Sequence, residues 1–109
     1  MSYRIQQINE LVRNHISEII TREVDLKPGI FLTVVKVDTT PDLRYAHIFV
    51  SIFPEKESEY VLKTLEKEMY QIQGKMNKKL SLHPLPRIKF EIDNTEIKAD
   101  EIEKILKNI

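Results

Sequence analysis

Residues 41–53, Pro-Asp-Leu-Arg-Tyr-Ala-His-Ile-Phe-Val-Ser-Ile-Phe, leave the backbone few options. Proline presets φ and aspartate bonds its own backbone, so Pro41-Asp42 opens a turn. The residues after it are rich in β-branched and aromatic types and predict a strand. Successive strand side chains point to opposite faces. Ala46, Ile48, Val50 and Ile52 therefore share one side, and Tyr45, His47, Phe49 and Ser51 the other. The first face is apolar and the second half polar. A sheet built around such a strand has one face to bury and one for water, so it needs helices on one side only.

The flanking sequence supplies them. Ile5, Ile8, Leu11, Val12, Ile16, Ile19 and Ile20 recur every three or four positions. That spacing predicts a long amphipathic helix, capped by Ser2, fading near Val24 and stopped by Lys27-Pro28-Gly29. Ile30 to Val37 is a β-branched run expected to pair antiparallel with the 41–53 strand across Asp38–Asp42. From Glu57 to Leu80, Val61, Leu62, Leu65, Met69, Ile72, Met76 and Leu80 form one helical stripe, which predicts core packing for the two methionines. Gly74 is the only breaker within it. Any bend is expected at or after Gln73, and a straight helix would use Gly74 for close packing.

Ser81 to Pro86, with two prolines, is a loop. Arg87 to Asp93 then alternates Ile88, Phe90 and Ile92 with charged residues, predicting a third strand with Phe90 as its core anchor. From Asp100, Ile102, Ile105, Leu106 and Ile109 have the spacing of a short amphipathic segment that docks on the body. The order of helix, two strands, a bent or double helix and a strand predicts an α+β fold. Its three-stranded sheet is covered by helices on one face, because crossovers are right-handed. This is the layout of a single K-homology-like domain of type II over residues 1–109, with its extra helix and strand N-terminal.

Composition narrows the chemistry. Seventeen basic and seventeen acidic residues cancel, so a nucleic-acid site has to be a local patch. With no cysteine there is neither a disulfide framework nor a thiolate zinc site. No apolar run approaches the ~20 residues of a membrane span, so the expectation is a cytoplasmic, soluble monomer without membrane contact. His15 and Glu18 have ligand-like helical spacing, but no third ligand accompanies them. His47 and His83 lack a nucleophile pattern, and Asp42 suits a turn better than an acid. No metal, cofactor or enzymatic activity is expected.

Val37-Asp38-Thr39-Thr40-Pro41-Asp42-Leu43-Arg44-Tyr45-Ala46-His47-Ile48-Phe49-Val50-Ser51 resembles a central stretch of the ribosome-binding factor A family. Three further stretches agree in order. Arg4-Ile5 with Ile8 resembles the family's opening helix, and Ser17-Glu18-Ile19-Ile20 with Arg22-Glu23-Val24 its close. Leu82 to Asp93, with Pro86 before Ile88-Lys89-Phe90-Glu91-Ile92, resembles its final strand. The chain departs from the family at its central kink, whose glycine aligns with Tyr70. It departs again at the loop after the first helix, here Asp25-Leu26-Lys27-Pro28-Gly29.

The resemblance implies a binding factor for free or immature 30S small ribosomal subunits. It would contact 16S ribosomal RNA, and ribosomal proteins could share the interface. It would assist late maturation, including 5′-end processing, and growth in the cold. The alternatives are a protein-interaction adaptor, or a generic RNA-binding module, on the same fold.

A standard K-homology module clamps four nucleotides with a Gly-x-x-Gly loop. Here the two glycines, Gly29 and Gly74, are far apart, so RNA contact must use another surface. Lys75, Asn77, Lys78 and Lys79, followed by His83, Arg87 and Lys89, are the candidate RNA-binding residues, since clustered cations neutralise phosphates. Arg4 and Arg44 are further candidates, while Arg13 has Glu10 nearby as a surface partner. The plain alternative for the lysines is a solvated helix face.

Overall fold

In the computed structural model, which describes residues 3–80 and 85–93, residues 41–44 form the turn and residues 45–53 a strand, as the alternation demands. This strand, β2 (Tyr45–Phe53), buries Ala46, Ile48, Val50 and Ile52. β1 (Phe31–Thr39) pairs with it antiparallel and β3 (Arg87–Ile92) parallel, in the order β1-β2-β3. The first helix, α1 (Tyr3–Glu23), precedes the sheet. The crossover from β2 to β3 consists of a 3₁₀ turn at Glu55–Glu57 and two helices, α2 (Ser58–Lys67) and α3 (Met69–Lys79). This is the expected α-β-β-α-α-β order, with the central helix double. The Ser2 cap, the 81–84 loop with His83, and the amphipathic pattern beyond residue 100 lie outside the described residues.

One core joins the helices to the sheet. Ile8, Val12, Ile16, Ile19 and Ile20 of α1 meet Val61, Leu65, Ile72 and Met76 of the crossover helices and the inner face of the strands. Leu11, expected on the buried stripe, is 44% exposed, because it lies beside the face centred on Val12 and Ile16. In β1, register slips between Val34 and Lys36, leaving Val35 without a partner. This bulge adds one residue to one strand only, so Val34 and Val37 both point inward although they are three apart.

Two turns follow from their residues. Gly29 has φ +85°, and Pro28 before it completes a proline-glycine turn closed by the Ile30 N–H on the Lys27 carbonyl at 3.4 Å. The β1–β2 turn is braced by side chains. The Thr40 hydroxyl donates to Asp42 Oδ1 at 2.6 Å, and the same oxygen accepts from the Arg44 N–H at 3.1 Å. These bonds hold the Asp42 carboxyl below the ordinary aspartate value, the Thr40 bond contributing most. Leu43 takes φ +61°, strained for a residue with a Cβ, while its side chain packs against the core.

The crossover helices break earlier than the steric argument from Gly74 predicts. The junction is Glu68, at φ −91° and ψ 4°, and Gly74 sits inside α3. The reason is geometric: the bend uses backbone angles open to any L-residue, so no positive φ and no glycine are needed. Nor does Gly74 permit close packing, since an added Cβ would meet nothing within 4 Å. Phe90 also differs from expectation. It is only partly buried, and Ile88 is the residue of β3 in the core, because β3 is an edge strand covered chiefly at its start.

Both sheet edges carry a side-chain amide. Asn9 Oδ1 accepts the Thr39 N–H of β1 at 2.9 Å. Gln73 Oε1 accepts the Ile88 N–H of β3 at 2.9 Å, and its Nε2 donates to the Pro86 carbonyl at 3.2 Å.

Candidate nucleic-acid interface

The break at Glu68 lets α3 run beside α1 while its other flank faces the start of β3. Lys75 Nζ lies 2.8 Å from a Glu23 carboxylate oxygen, and Lys79 Nζ 3.3 Å from one of Glu18, which also meets Arg22 at 3.1 Å. The two helices are thus antiparallel along this seam. Lys79, by hydrogen bond and charge, holds the Glu18 carboxyl below the ordinary glutamate value, and Arg22 adds to the shift. Two of the three expected phosphate-binding lysines therefore already have partners. Lys78 is exposed and has no ion pair among the described residues.

Lys78 borders two depressions. A small one of about 230 Å³ lies over the α1–α3 seam, with Arg22, Lys75 and Lys79 around it. A larger groove of about 600 Å³ runs between α3 and the start of β3, edged by Tyr70, Gly74, Asn77, Lys78 and Arg87. Its floor is tied by Gln73, whose Nε2 also donates to Asn77 Oδ1 at 3.2 Å. Tyr70 is 91% exposed, and Arg87 is exposed without an ion pair among the described residues. Exposed cations around a concave surface with an aromatic ring at its rim can bind a phosphate backbone and stack a base.

The other sequence candidates sit elsewhere. Lys89 is on the sheet face turned away from the helices, with Nζ 4.5 Å from the Tyr45 ring centroid. Arg44 is at the hairpin end, 3.7 Å from Asp42, and its carbonyl accepts the Arg87 N–H at 2.8 Å. Arg4 is exposed in the first turn of α1. Fourteen residues separate it from Glu18, about 21 Å along the axis, so it does not join the seam. Sequence reasoning missed Arg22, Tyr70 and Gln73. Tyr70 had a legible signal, an aromatic off the apolar stripe of its own helix. No group of three or more His, Cys, Asp or Glu that could hold a metal gathers among the described residues.

Comparison with known proteins identifies the relatives of this arrangement. The family description "Ribosome-binding factor A" matches residues 4–106. The chain belongs to the ribosome-binding factor A family. A member from Dictyoglomus thermophilum is 36% identical over 111 aligned positions, covering 100% of this chain and 92% of the relative. One from Natranaerobius thermophilus is 37% identical, covering 97% and 82%.

Among solved structures, the chain resembles a putative ribosome-binding factor A from Thermotoga maritima, determined by NMR. The TM-score is 0.69 at 26% identity, covering 84% of this chain and 88% of that one. The crystal structure of ribosome-binding factor A from Thermus thermophilus shares the fold, with TM-score 0.72 at 21% identity over 83% and 97%. A homology model of the Thermus thermophilus factor, fitted into a cryo-electron microscopy map of its complex with the 30S subunit, has TM-score 0.66 at 22% identity, covering 78% and 90%. No helix among the described residues is long and apolar enough to cross a membrane.

Proposed function

We propose that this protein binds free or immature small ribosomal subunits and contacts 16S ribosomal RNA through α3 and the start of β3. Lys78 and Arg87 take phosphates directly. Lys75, Lys79 and Arg22 provide the positive field along the α1–α3 seam, and Asn77 and Tyr70 meet sugars or bases at the groove's rim. Lys89 and Arg44 extend the surface towards the hairpin. The observation that carries this reading is the groove between α3 and β3, where two cations without acidic partners among the described residues flank a concave surface in a member of a ribosome-binding family. The Thermus thermophilus factor fitted on the 30S subunit supports the same partner. By the same family resemblance, binding assists late maturation of the subunit, including 5′-end processing of 16S RNA, and sustains growth in the cold.

Sucrose-gradient sedimentation tests the partner. The protein is expected with free small subunits and absent from translating ribosomes; equal presence in both fractions refutes the reading. Lys78→Glu with Arg87→Glu should release the protein from small subunits without unfolding it, since exposed charges contribute little to stability. Affinity should also fall steeply with salt as neutralised phosphates release counterions. A flat salt response would instead favour a protein partner.

A further inference from the structure

The face of the sheet turned away from the helices carries four of the chain's eight aromatic residues, Phe31, Tyr45, Phe49 and Phe53. Directly paired residues of neighbouring strands point to the same side of a sheet, so the register fixes their layout. Phe31 pairs with Phe53, Lys36 with Phe49, and Tyr45 with Arg87. The cations sit on the rings: Lys36 Nζ is 4.7 Å from the Phe49 centroid and Lys89 Nζ 4.5 Å from that of Tyr45. Of the two acidic residues in this grid, Glu91 lies 3.0 Å from His47 Nδ1, and Asp38 pairs across the strands with the same histidine. The Phe31–Phe53 pair has no cation over it among the described residues, and each ring is 67% exposed.

Two adjacent phenylalanines held in water are costly unless something uses them. The row of rings with interleaved cations is the chemistry of a platform for unpaired bases: Phe31 and Phe53 offer π-faces with no cation over them among the described residues, and the lysines on Phe49 and Tyr45 meet the phosphates beside them. Arg87 joins this face to the groove beside α3, because it edges that groove and pairs with Tyr45. We infer that the sheet face turned away from the helices is a second RNA-binding surface, on which an unpaired strand leaving the α3 groove crosses at Arg87, runs along Tyr45 and Phe49, and ends stacked on Phe31 and Phe53. The inference rests on the proposed binding to ribosomal RNA and names the form of RNA that this face takes.

The chain has no tryptophan, so Phe53→Trp places a single reporter on the platform. An unstructured oligouridine of about ten nucleotides should quench its emission, whereas a perfect RNA duplex should leave it unchanged. Phe31→Thr with Phe53→Thr keeps β-propensity while removing both rings. It should weaken oligouridine binding by about tenfold or more, as expected for loss of base stacking, with an unchanged melting temperature.

Absence of quenching, with unaltered affinity in the double variant, overturns the platform. If Lys78→Glu still releases small subunits in that case, the broader reading stands alone; if nothing binds RNA or subunits, both fail. Emission that shifts with protein concentration instead of RNA assigns the pair to self-association. Emission that shifts on removal of residues 94–109 assigns it to the chain's own C-terminal segment. Either result also overturns the inference.

Discussion

Gly74→Ala separates folding from binding at one atom. Gly74 lies in the interior of α3, has no positive φ, and has open space where a Cβ would stand. The added methyl therefore neither clashes nor gains a packing partner, and its effect on folding is almost entirely the lower backbone entropy of the unfolded chain. Alanine in a helix interior is favoured over glycine by about 1 kcal/mol, and substitutions of this kind give about 0.4–1 kcal/mol in practice. For a domain of this size that raises the melting temperature by about 2–6 °C. Urea unfolding followed by circular dichroism should show a higher midpoint at an unchanged slope. Since Gly74 also edges the groove beside Lys78 and Arg87, the same methyl should weaken binding to small subunits. The expected signature is a more stable protein that binds less well. Destabilisation would refute the packing argument, and unaltered binding would show that nothing approaches the α3 backbone at this point.

Glu18→Gln with Glu23→Gln should release Lys79, Lys75 and Arg22 from their partners and raise affinity for small subunits several-fold at low salt, with little change in stability because the pairs are exposed; weaker binding would mean that the carboxylates position the cations. Phe90→Ala should cost about 2 kcal/mol, below the roughly 3–5 of a fully buried phenylalanine, because the ring is only partly covered, and a chemical-denaturation loss of about 4 kcal/mol or more would contradict that burial. The depressed Asp42 carboxyl contributes stability that is present above its unfolded value and lost as pH falls through its folded value. Removing its largest cause with Thr40→Val should bring the carboxyl back towards the ordinary aspartate value in an NMR titration and reduce the acid dependence of unfolding below about pH 4.

The elements that sequence periodicity describes well are those whose side chains answer only to burial. Ile8, Val12 and Ile16 on α1, the alternation of β2, and Ile72 with Met76 on α3 all lie where their spacing puts them. The bend at Glu68 was not legible, because a junction at φ −91° and ψ 4° makes no demand on residue type and leaves no mark in composition. The lysine cluster was legible as charge but not as partnership. Glu18 and Glu23 are more than fifty positions from the lysines they meet, and only the antiparallel approach of α1 and α3 brings them within 4 Å. Gln73 was invisible for the same reason: a polar residue beside an apolar stripe reads as solvated until the sheet edge arrives beneath it.

That glutamine has a consequence for recognition. Its amide is the side-chain equivalent of a peptide unit, and by taking the Ile88 N–H and the Pro86 carbonyl it makes α3 stand in for a fourth strand at the start of β3. Asn9 does the same for the end of β1. A foreign strand seeking to extend the sheet at either place would have to displace a bond already made, so pairing is opposed at these two points. The staple at β3 also joins the two walls of the groove. Lys78 rides on one wall and Arg87 on the other, and the spacing of the backbone that carries them is set before any ligand arrives. An RNA backbone that matches this spacing loses little entropy in ordering the walls, and one that does not match cannot draw them together.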